Sequence, residues 1–415
     1  MDRKISRFCP KSGDFGFRYL TRFACTQFIS HSERFAIIIP MRRIGLSLVL
    51  SFVLFIFVPA TFASNENDDL CTPSYQLTHL GQCPLNGPGG RIEMMQRYEL
   101  PEDLPAANIQ SLKTPPPLAN KYYARVITPN APIYASVEDA LAKKEKRKSG
   151  KGFIYVTYDY PITRNGEDFF QINVGEFVRR ADLATITPSK FEGVVVTRQP
   201  ERPFGWILAA VQPRLSPNFY APLNPDIPKL NRYDIVQVYD RLKVGNKEWL
   251  LIGRNQWIEH DPYYIGLVEV QPMPPQVLGK WIAVNLYEQT MSVYENDRMV
   301  YATLVSSGIG VWNTRPGIFQ VYEKYESTPM TGAFAADASD YYSLEDVPWT
   351  MYFDKSIALH GAYWHDLFGY QQSHGCVNLA PKDSLWLYKW AELGTIVYVY
   401  DPSGRTPTTS FGGGP

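Results

Sequence analysis

Two stretches of this chain repeat one pattern of aromatic and branched residues at a distance of eighty positions. Asp168–Ile172 aligns with Glu248–Ile252, and Glu176–Val178 aligns with Gln256–Ile258, without a gap. Runs of this kind, separated by turn signals such as the Asn-Gly pair at 165–166, indicate short strands joined by hairpins. A pattern that recurs in register predicts two copies of one small β unit.

The composition agrees with a mostly β protein and excludes one class of partner. The 415 residues include 27 Tyr, 22 Phe and 33 Pro, and aromatic runs broken by Pro and Gly favour strands over long helices. The 41 basic residues balance 41 acidic ones. Because nucleic-acid binders are normally basic, no nucleic-acid partner is expected.

The repeated units resemble bacterial SH3-like barrel domains, which often accompany cell-wall enzymes. Each copy has a strand, a Gly or Asn turn, an aromatic strand and a further short strand. A wall-binding role and a plain spacer role are both compatible with this pattern, because a small barrel needs a dense aromatic core in either case.

The segment that starts at Met41 has the features of an export signal. Arg42 and Arg43 precede an apolar run at 44–58 and a small-residue exit that ends at Ala63. Such a run is short for a transmembrane helix, which needs about 20 residues. We expect export to the cell envelope or cell wall, and an uncleaved signal would leave the chain anchored in the membrane.

Export simplifies the interpretation of the cysteines. Two of the five precede the signal, so the exported chain keeps Cys71, Cys83 and Cys376. Outside the cytosol Cys71 and Cys83 can form a short-loop disulfide, which leaves Cys376 unpaired. Two alternatives stay open: one of the first two is the unpaired cysteine, or Cys376 is a buried and inert thiol.

The chain beyond a Pro-rich linker at 272–275 has the pattern of further strands and one helix. Lys280–Leu286 and Met299–Val305 are predicted strands. Pro381 in a first turn, apolar residues at helical spacing and Gly394 as a stop predict a helix over Pro381–Leu393.

A cysteine among histidines marks the candidate site. Ser373-His374-Gly375-Cys376-Val377-Asn378 follows His360 and His365. The glycine suits a sharp turn at which backbone N–H groups converge on an oxyanion. The cysteine precedes the predicted helix, whose field is expected to favour the attacking thiolate. His360 ends a predicted strand, so it is a rigidly held candidate for the general base.

Metal binding is the competing interpretation of this cluster. His360, His365, His374 and Cys376 could supply zinc ligands, but their spacing matches no familiar ligand pattern. We therefore expect no metal and no cofactor. His365 is expected at the surface or as a support for other site residues.

The motif resembles the signature of L,D-transpeptidase catalytic domains of the YkuD type. His360-Gly361, a loop and Ser373–Asn378 carry the likeness, and Trp281–Gln289 and Arg315–Phe319 agree with it. The resemblance covers about 278–401. It implies a sandwich-like catalytic domain with one helix. With the two SH3-like barrels inferred from the repeat placed before this domain, the predicted fold is mostly β.

This resemblance implies a cysteine acyltransferase that acts on peptidoglycan stem peptides. Cys376 would form a thioester with a donor tetrapeptide and release D-Ala, and an amine of another stem would accept the acyl group in a 3–3 cross-link. His360 would be the base, and carbapenem-type lactams are expected inhibitors. The implied supporting residues are His374 and Gly375 in the oxyanion turn, and Ser373 and Asn378 in the loop.

Several aromatic and apolar residues are expected to line the substrate groove. These are Trp364, Met330 and Tyr342, the last two from an insertion at 325–349 that is predicted to be a lid. Gly361 stands where a relative carries a small hydroxyl residue, so the orientation of the catalytic imidazole falls to a backbone carbonyl or another group.

Two other functions remain compatible with the sequence. A cysteine hydrolase or L,D-carboxypeptidase would share the acyl-enzyme and use water as acceptor, and a non-catalytic wall-binding scaffold would keep the motif without turnover. The predicted organisation is an over-extended start at 1–40, a signal peptide at 41–63, a Cys-pair and Pro-rich spacer at 64–118, SH3-like repeats at 119–190 and 191–272, a catalytic domain at 277–401 and a disordered tail at 402–415.

Overall fold

The computed structural model describes residues 109–111, 122–275, 277–333, 337 and 340–409. The predicted signal peptide, Cys71 and Cys83 lie outside the described residues. The described chain is mostly β, as predicted. No helix within these ranges is long and apolar enough to cross a membrane.

The first part of the described chain consists of short strands and one short helix. In order these are β1 (Ile109–Ser111), β2 (Tyr122–Val126), β3 (Pro132–Ile133), α1 (Val137–Leu141), β4 (Arg147–Lys148), β5 (Phe153–Tyr158), β6 (Pro161–Arg164), β7 (Glu167–Asn173), β8 (Glu176–Arg179) and β9 (Leu183–Ile186). Helix α1 was not predicted. Its signal is the N-cap Ser136, whose hydroxyl accepts a hydrogen bond from the Asp139 N–H at 3.0 Å.

The second part of the described chain contains a further group of short strands. These are β10 (Val194–Val196), β11 (Phe204–Ile207), β12 (Ile235–Gln237), β13 (Asp240–Val244), β14 (Lys247–Gly253), β15 (Gln256–Glu259) and β16 (Ile265–Val268).

The C-terminal part holds the longest strands and the main helix. These are β17 (Lys280–Asn285), β18 (Thr290–Glu295), β19 (Arg298–Ser306), β20 (Gly317–Gln320), β21 (Glu323–Gly332), β22 (Tyr342–Asp354), β23 (Ile357–Gly361), β24 (Val377–Leu379), α2 (Pro381–Trp390) and β25 (Ile396–Tyr400).

The eighty-residue sequence repeat is also a repeat of strand pairing. In the first unit β5, β2 and β9 pair in that order and β6, β7 and β8 form a meander; in the second, β12, β11 and β16 and then β13, β14 and β15 pair in the same way. Even the register shift recurs, between Gln171 and Asn173 in one copy and between Leu251 and Gly253 in the other. At the predicted Asn-Gly hairpin, Asn165 and Gly166 have φ values of 53° and 79°, as a two-residue turn requires.

One continuous sheet joins the first unit to the C-terminal part. Its strand order is β20-β25-β17-β18-β19-β24-β23-β22-β5-β2-β9. Most of β19 pairs with β18, whereas its end, Val305 and Ser306, pairs with Leu379 and Asn378 of β24. The change of partner along one strand links the two halves of the sheet, and β24 and β23 lie at its centre.

Both faces of the C-terminal strands are covered. Along β17, Trp281 and Ala283 belong to one buried apolar cluster, while Ile282 and Val284 belong to another. Helix α2 covers the second cluster through Leu387. Because side chains alternate across a strand, this burial explains the nearly continuous apolar sequence of β17.

Helix α2 begins at the predicted residue and ends earlier than predicted. Pro381 starts it, but the last helical residue is Trp390, since Ala391 is extended. The expected stop, Gly394, has a φ of 88° and donates its N–H to the Val321 carbonyl at 2.7 Å. The glycine therefore shapes the turn into β25 rather than the helix end.

The beginning of the tail is ordered, contrary to the prediction of disorder from 402 onwards. The Asp401 carboxylate accepts hydrogen bonds from the N–H groups of Ser403 and Thr406 at 2.8 Å each. The Asn313 side chain donates to the Pro407 carbonyl at 3.1 Å. A polar segment can be ordered by such hydrogen bonds, one local set and one long-range bond, without an apolar core. Residues 410–415 lie outside the described chain.

Candidate active site

The parallel strands β23 and β24 position the predicted base and the turn that carries the predicted nucleophile. His360 pairs with Asn378 in this ladder, and Leu359 pairs with Val377. Paired residues of parallel strands project to the same face, as do residues two apart in one strand. Cys376 lies in the turn directly before β24, and both it and His360 line one cavity.

The turn before β24 is held by side-chain hydrogen bonds and requires glycine. The Ser373 hydroxyl donates to the Cys376 carbonyl at 2.5 Å and accepts from the Gly375 N–H at 3.1 Å. Gly375 has a φ of 122°, and a Cβ there would lie 2.6 Å from Ile357. The Thr314 hydroxyl donates to the Gly375 carbonyl at 2.7 Å. The loop-supporting function expected of Ser373 thus has a direct geometric basis.

Of the N–H groups expected to bind an oxyanion, one is already engaged. The Gly375 N–H bonds to Ser373 as described, whereas the Cys376 N–H has no hydrogen-bond partner among the residues of known placement. The Cys376 N–H is therefore the available donor beside the sulfur.

The Cys376 thiol is held by the neighbouring strand rather than by a helix. Its sulfur accepts a hydrogen bond from the Ala358 N–H at 3.4 Å and contacts the Ser356 carbonyl at 3.9 Å. Burial raises the pKa of Cys376 to about 11, with the Ala358 N–H acting in the opposite direction. The prediction that a helix field favours the thiolate is wrong, because β24 and Ala380 separate the cysteine from α2.

His360 is buried and its tautomer is set by its own strand. Its Nδ1 lies 3.3 Å from the Gly361 carbonyl oxygen, so Nδ1 carries the proton and Nε2 keeps its lone pair. Burial lowers the pKa of His360 to about 4, which keeps the ring neutral. The group that orients the imidazole is thus a backbone carbonyl, one of the alternatives left open by the sequence.

Gly361 has no room for a side chain. A Cβ at this position would lie 2.6 Å from the Ser384 hydroxyl and 2.9 Å from Pro348. Packing of α2 and β22 against β23 therefore favours glycine at this position. In the described chain no hydrogen bond joins His360 to the Cys376 sulfur.

His374 is placed by aromatic packing. Its ring lies 4.4 Å from the Trp312 ring and is stacked on Tyr342 at 5.5 Å with an interplanar angle of 11°. Burial lowers its pKa, and Asp340 acts in the opposite direction. The side chain thus ties the turn to hairpin β21–β22.

His365 supports Asn378, which is one of the two roles predicted for it from the sequence. Its Nδ1 accepts a hydrogen bond from the Leu367 N–H at 3.2 Å, and its Nε2 lies 3.0 Å from the Asn378 amide. Because Nδ1 accepts, Nε2 carries the proton. The Asn378 amide group must therefore be oriented with its oxygen toward Nε2. That orientation gives the otherwise unpaired, buried Asn378 Oδ1 a partner.

A cavity of about 690 Å³ brings the predicted site residues together. Cys376, His360 and His374 line it, and so do all three predicted groove residues, Met330, Tyr342 and Trp364. The predicted lid is hairpin β21–β22, which carries the first two of these. Sequence analysis missed the lining residues Phe153, Trp312, Asp354 and Lys355.

Charged side chains lie at the edge of the cavity. Arg315 binds the Asp354 carboxylate through two hydrogen bonds of 2.6 Å. Lys355 follows at a tight turn with a φ of 52°. No group of three or more His, Cys, Asp or Glu residues placed to hold a metal ion occurs in the part of the chain that the structure describes.

Comparison with known families identifies the C-terminal segment. Residues 279–399 match the sequence profile of YkuD, the L,D-transpeptidase catalytic domain. The resemblance inferred from the motif is thereby confirmed for this segment, which lies inside the predicted limits 277–401. No curated protein matches the chain.

Solved L,D-transpeptidases are similar to the same part of the chain. A mutant of the Enterococcus faecium enzyme is 26% identical over 30% of this chain and 51% of that one, with a TM-score of 0.28. The Stackebrandtia nassauensis enzyme is 29% identical over 32% and 58%, with a TM-score of 0.24. The Enterococcus faecium catalytic domain acylated by ertapenem is 27% identical over 30% and 99%, with a TM-score of 0.27. This chain spans about half the length of the first two solved relatives, 51% and 50%, and the assignment rests on the family profile.

Proposed function

We propose that this protein is a peptidoglycan L,D-transpeptidase that forms 3–3 cross-links through a thioester on Cys376. The observation that carries the proposal is the single cavity in which Cys376, His360 and the oxyanion turn meet within a segment matched by the L,D-transpeptidase profile. The stem tetrapeptide would lie between hairpin β21–β22 and the loop after His360.

The reaction begins from a neutral Cys376 thiol and a neutral His360 imidazole. The thiol turns from the Ser356 carbonyl toward His360, whose Nε2 takes the proton as the sulfur attacks the carbonyl of the third stem residue. The Cys376 N–H then donates to the oxyanion. The C–N bond to D-Ala breaks, and the imidazolium returns its proton to the departing amine.

The second half repeats these steps with a different nucleophile. An amine from a neighbouring stem attacks the thioester carbonyl, loses its proton to His360, and the sulfur leaves as a thiol. The neutral imidazole expected from its lowered pKa suits this function, because it can accept a proton at neutral pH without first losing one.

We propose that the upstream part of the chain positions the catalytic domain at its substrate. We take the two repeats to be SH3-like barrels that hold the catalytic domain at the cell wall after export through the signal at 41–63. Their shared strand pairing supports a common small β fold. Sedimentation of the full chain, carrying Cys376→Ala, with purified peptidoglycan tests this function; a pure spacer would stay in the supernatant.

A mass measurement tests the nucleophile and the family chemistry together. The intact, reduced protein is incubated with a carbapenem, since the related Enterococcus faecium domain is described as acylated by ertapenem. We expect one covalent adduct on the wild-type protein and none on Cys376→Ala. A folded wild-type protein without an adduct would contradict the proposed chemistry.

A further inference from the structure

The first upstream β unit (β2–β9) adds a strand to hairpin β21–β22. Strand β5 pairs in parallel with β22, so that Phe153 faces Tyr342, Ile154 faces Ser343 and Tyr155 faces Leu344. The Phe153 N–H also donates to the Tyr341 carbonyl at 2.9 Å. The hairpin that carries two groove residues is therefore hydrogen-bonded to a unit outside the segment matched by the family profile.

The same unit supplies a wall of the catalytic cavity. Phe153 lines the cavity together with Met330 and Tyr342, and its side chain is 38% exposed. A partly exposed aromatic ring that faces a reaction cavity has apolar area available to a ligand. Phe153 has no counterpart in the catalytic motif, because it lies more than two hundred residues before Cys376.

An aromatic chain connects this unit to the loop after the predicted base. Tyr123 of β2 stacks on Tyr363 with ring centroids 3.7 Å apart, and Tyr155 of β5 lies 6.5 Å from Trp364. The Trp364 ring in turn lies 5.7 Å from the His360 ring. The unit thus packs against both sides of the cavity, at the hairpin and at the loop.

Polar contacts also hold the hairpin against the first upstream unit and the loop after His360. The Thr157 N–H donates to the Glu345 carboxylate at 3.0 Å, and the Thr157 hydroxyl donates to Asp346 at 2.8 Å. The Tyr363 hydroxyl donates to the Glu345 carbonyl at 2.6 Å. Together these partly buried hydrogen bonds favour one alignment of the two elements.

We propose that the first upstream unit is part of the substrate site, with Phe153 as a specificity-determining residue and β5 as the strand that holds the hairpin over the cavity. Phe153 contacts the hydrocarbon part of the donor stem peptide. This inference rests on the proposed function for the identity of the ligand, but the docking of the hairpin does not depend on turnover.

Binding of the donor tests the specificity residue without catalysis. The dissociation constant of a stem tetrapeptide is measured by calorimetry on the full chain carrying Cys376→Ala, with and without Phe153→Ala. We expect Phe153→Ala to weaken binding about tenfold, which is about 1.4 kcal/mol, because the exposed part of the ring loses its apolar contact with the ligand, and Phe153→Leu to recover most of the affinity. The control Phe219→Ala removes an exposed phenylalanine from the other unit and should leave the affinity unchanged.

Hydrogen exchange tests the docking strand. In Gly152→Ala the new Cβ would lie 2.2 Å from the Tyr341 carbonyl oxygen, so we expect the amides of 342–344 to exchange at least about tenfold faster. Gly175→Ala is the matched control, because Gly175 also has a positive φ, 67°, but an open environment. Equal exchange in the two variants, or equal affinity in Phe153→Ala and Phe219→Ala, would overturn the proposal. A wild-type protein that binds the tetrapeptide without turning it over would instead contradict the proposed function alone.

Discussion

The backbone N–H of Ala358 donates a hydrogen bond to the sulfur of Cys376 across 3.4 Å. Ala358 belongs to β23 and Cys376 lies in the turn just before β24, so the contact holds the thiol against the neighbouring strand rather than at a helix end. In this arrangement burial favours a protonated thiol and a neutral imidazole, and the proposed mechanism moves the proton when substrate turns the thiol toward His360.

Alkylation should show that Cys376 has no preformed thiolate. Because burial raises its pKa to about 11, the rate of its reaction with iodoacetamide is expected to rise about tenfold for each pH unit from 7 to 10. The rate is followed by mass spectrometry of the Cys376 peptide, with glutathione as the control. A plateau below pH 8 would indicate a stabilised thiolate and contradict this arrangement.

Substitutions should distinguish the two histidines of the cavity. We expect His360→Gln to slow acylation of Cys376 by a lactam about 10²–10⁴-fold, the range typical of a lost general base. His374→Phe keeps an aromatic ring between Trp312 and Tyr342 and leaves the backbone unchanged, so we expect a loss of less than about tenfold. Stopped-flow acylation rates compare the two variants, and a larger loss in His374→Phe would assign the base to His374.

The pH dependence of stability should identify Glu345, a partly buried acid of the hairpin. Burial raises the pKa of Glu345 to about 7, with Asp346 and Glu176 acting in the same direction and the Thr157 N–H and Arg147 opposing it. The folded protein therefore holds this proton more tightly than the unfolded chain. Its contribution is fully present below the unfolded pKa, near 4.5, and is lost as the pH rises through about 7.

Urea unfolding at pH 5 and pH 8 measures this effect. We expect the free energy of unfolding of wild type to fall relative to that of Glu345→Gln as the pH increases, since glutamine keeps an acceptor for Thr157 and cannot ionise. The control is Glu138→Gln, at an exposed acid of α1. A parallel pH dependence in wild type and Glu345→Gln would show that Glu345 ionises freely in the folded state.

Removal of the Asp383 carboxylate should weaken the fold around α2. This buried group accepts hydrogen bonds from the Gly193 N–H at 2.8 Å, from the Tyr301 hydroxyl at 2.8 Å and from the Thr303 hydroxyl. Asp383→Ala would leave these donors without a partner, which costs about 3 kcal/mol or more.

The matched variant Asp383→Asn keeps one acceptor oxygen and should be destabilised less. Chemical denaturation compares the two proteins, and a loss below about 1 kcal/mol for Asp383→Ala would show that water replaces the carboxylate.

Local patterns in the sequence predicted the features that depend on neighbouring residues. The eighty-residue repeat appears as repeated strand pairing, and the Asn-Gly hairpin has the expected backbone angles. The predicted catalytic residues and the three groove residues, Met330, Tyr342 and Trp364, all line one cavity. A resemblance to a known family predicted this last arrangement, because periodicity alone does not bring distant loops together.

The features that were missed depend on contacts between distant parts of the chain. The pairing of β5 with β22 joins residues almost two hundred positions apart, and Phe153 has no local pattern that marks it as a cavity residue. The environment of Cys376 was predicted from its distance to the helix in sequence, but β24 lies between them. The ordered start of the tail depends on Asn313, a residue far from it in sequence.

Transfer of an acyl group from a stem tetrapeptide to an amine tests the central claim most directly. The wild-type protein and Cys376→Ala are incubated with a donor tetrapeptide and a second stem as acceptor, and the products are analysed by mass spectrometry. We predict release of D-Ala with formation of a 3–3 cross-linked product by wild type, and no reaction by Cys376→Ala. Formation of free tripeptide without a cross-link, or full activity in Cys376→Ala, would contradict the account.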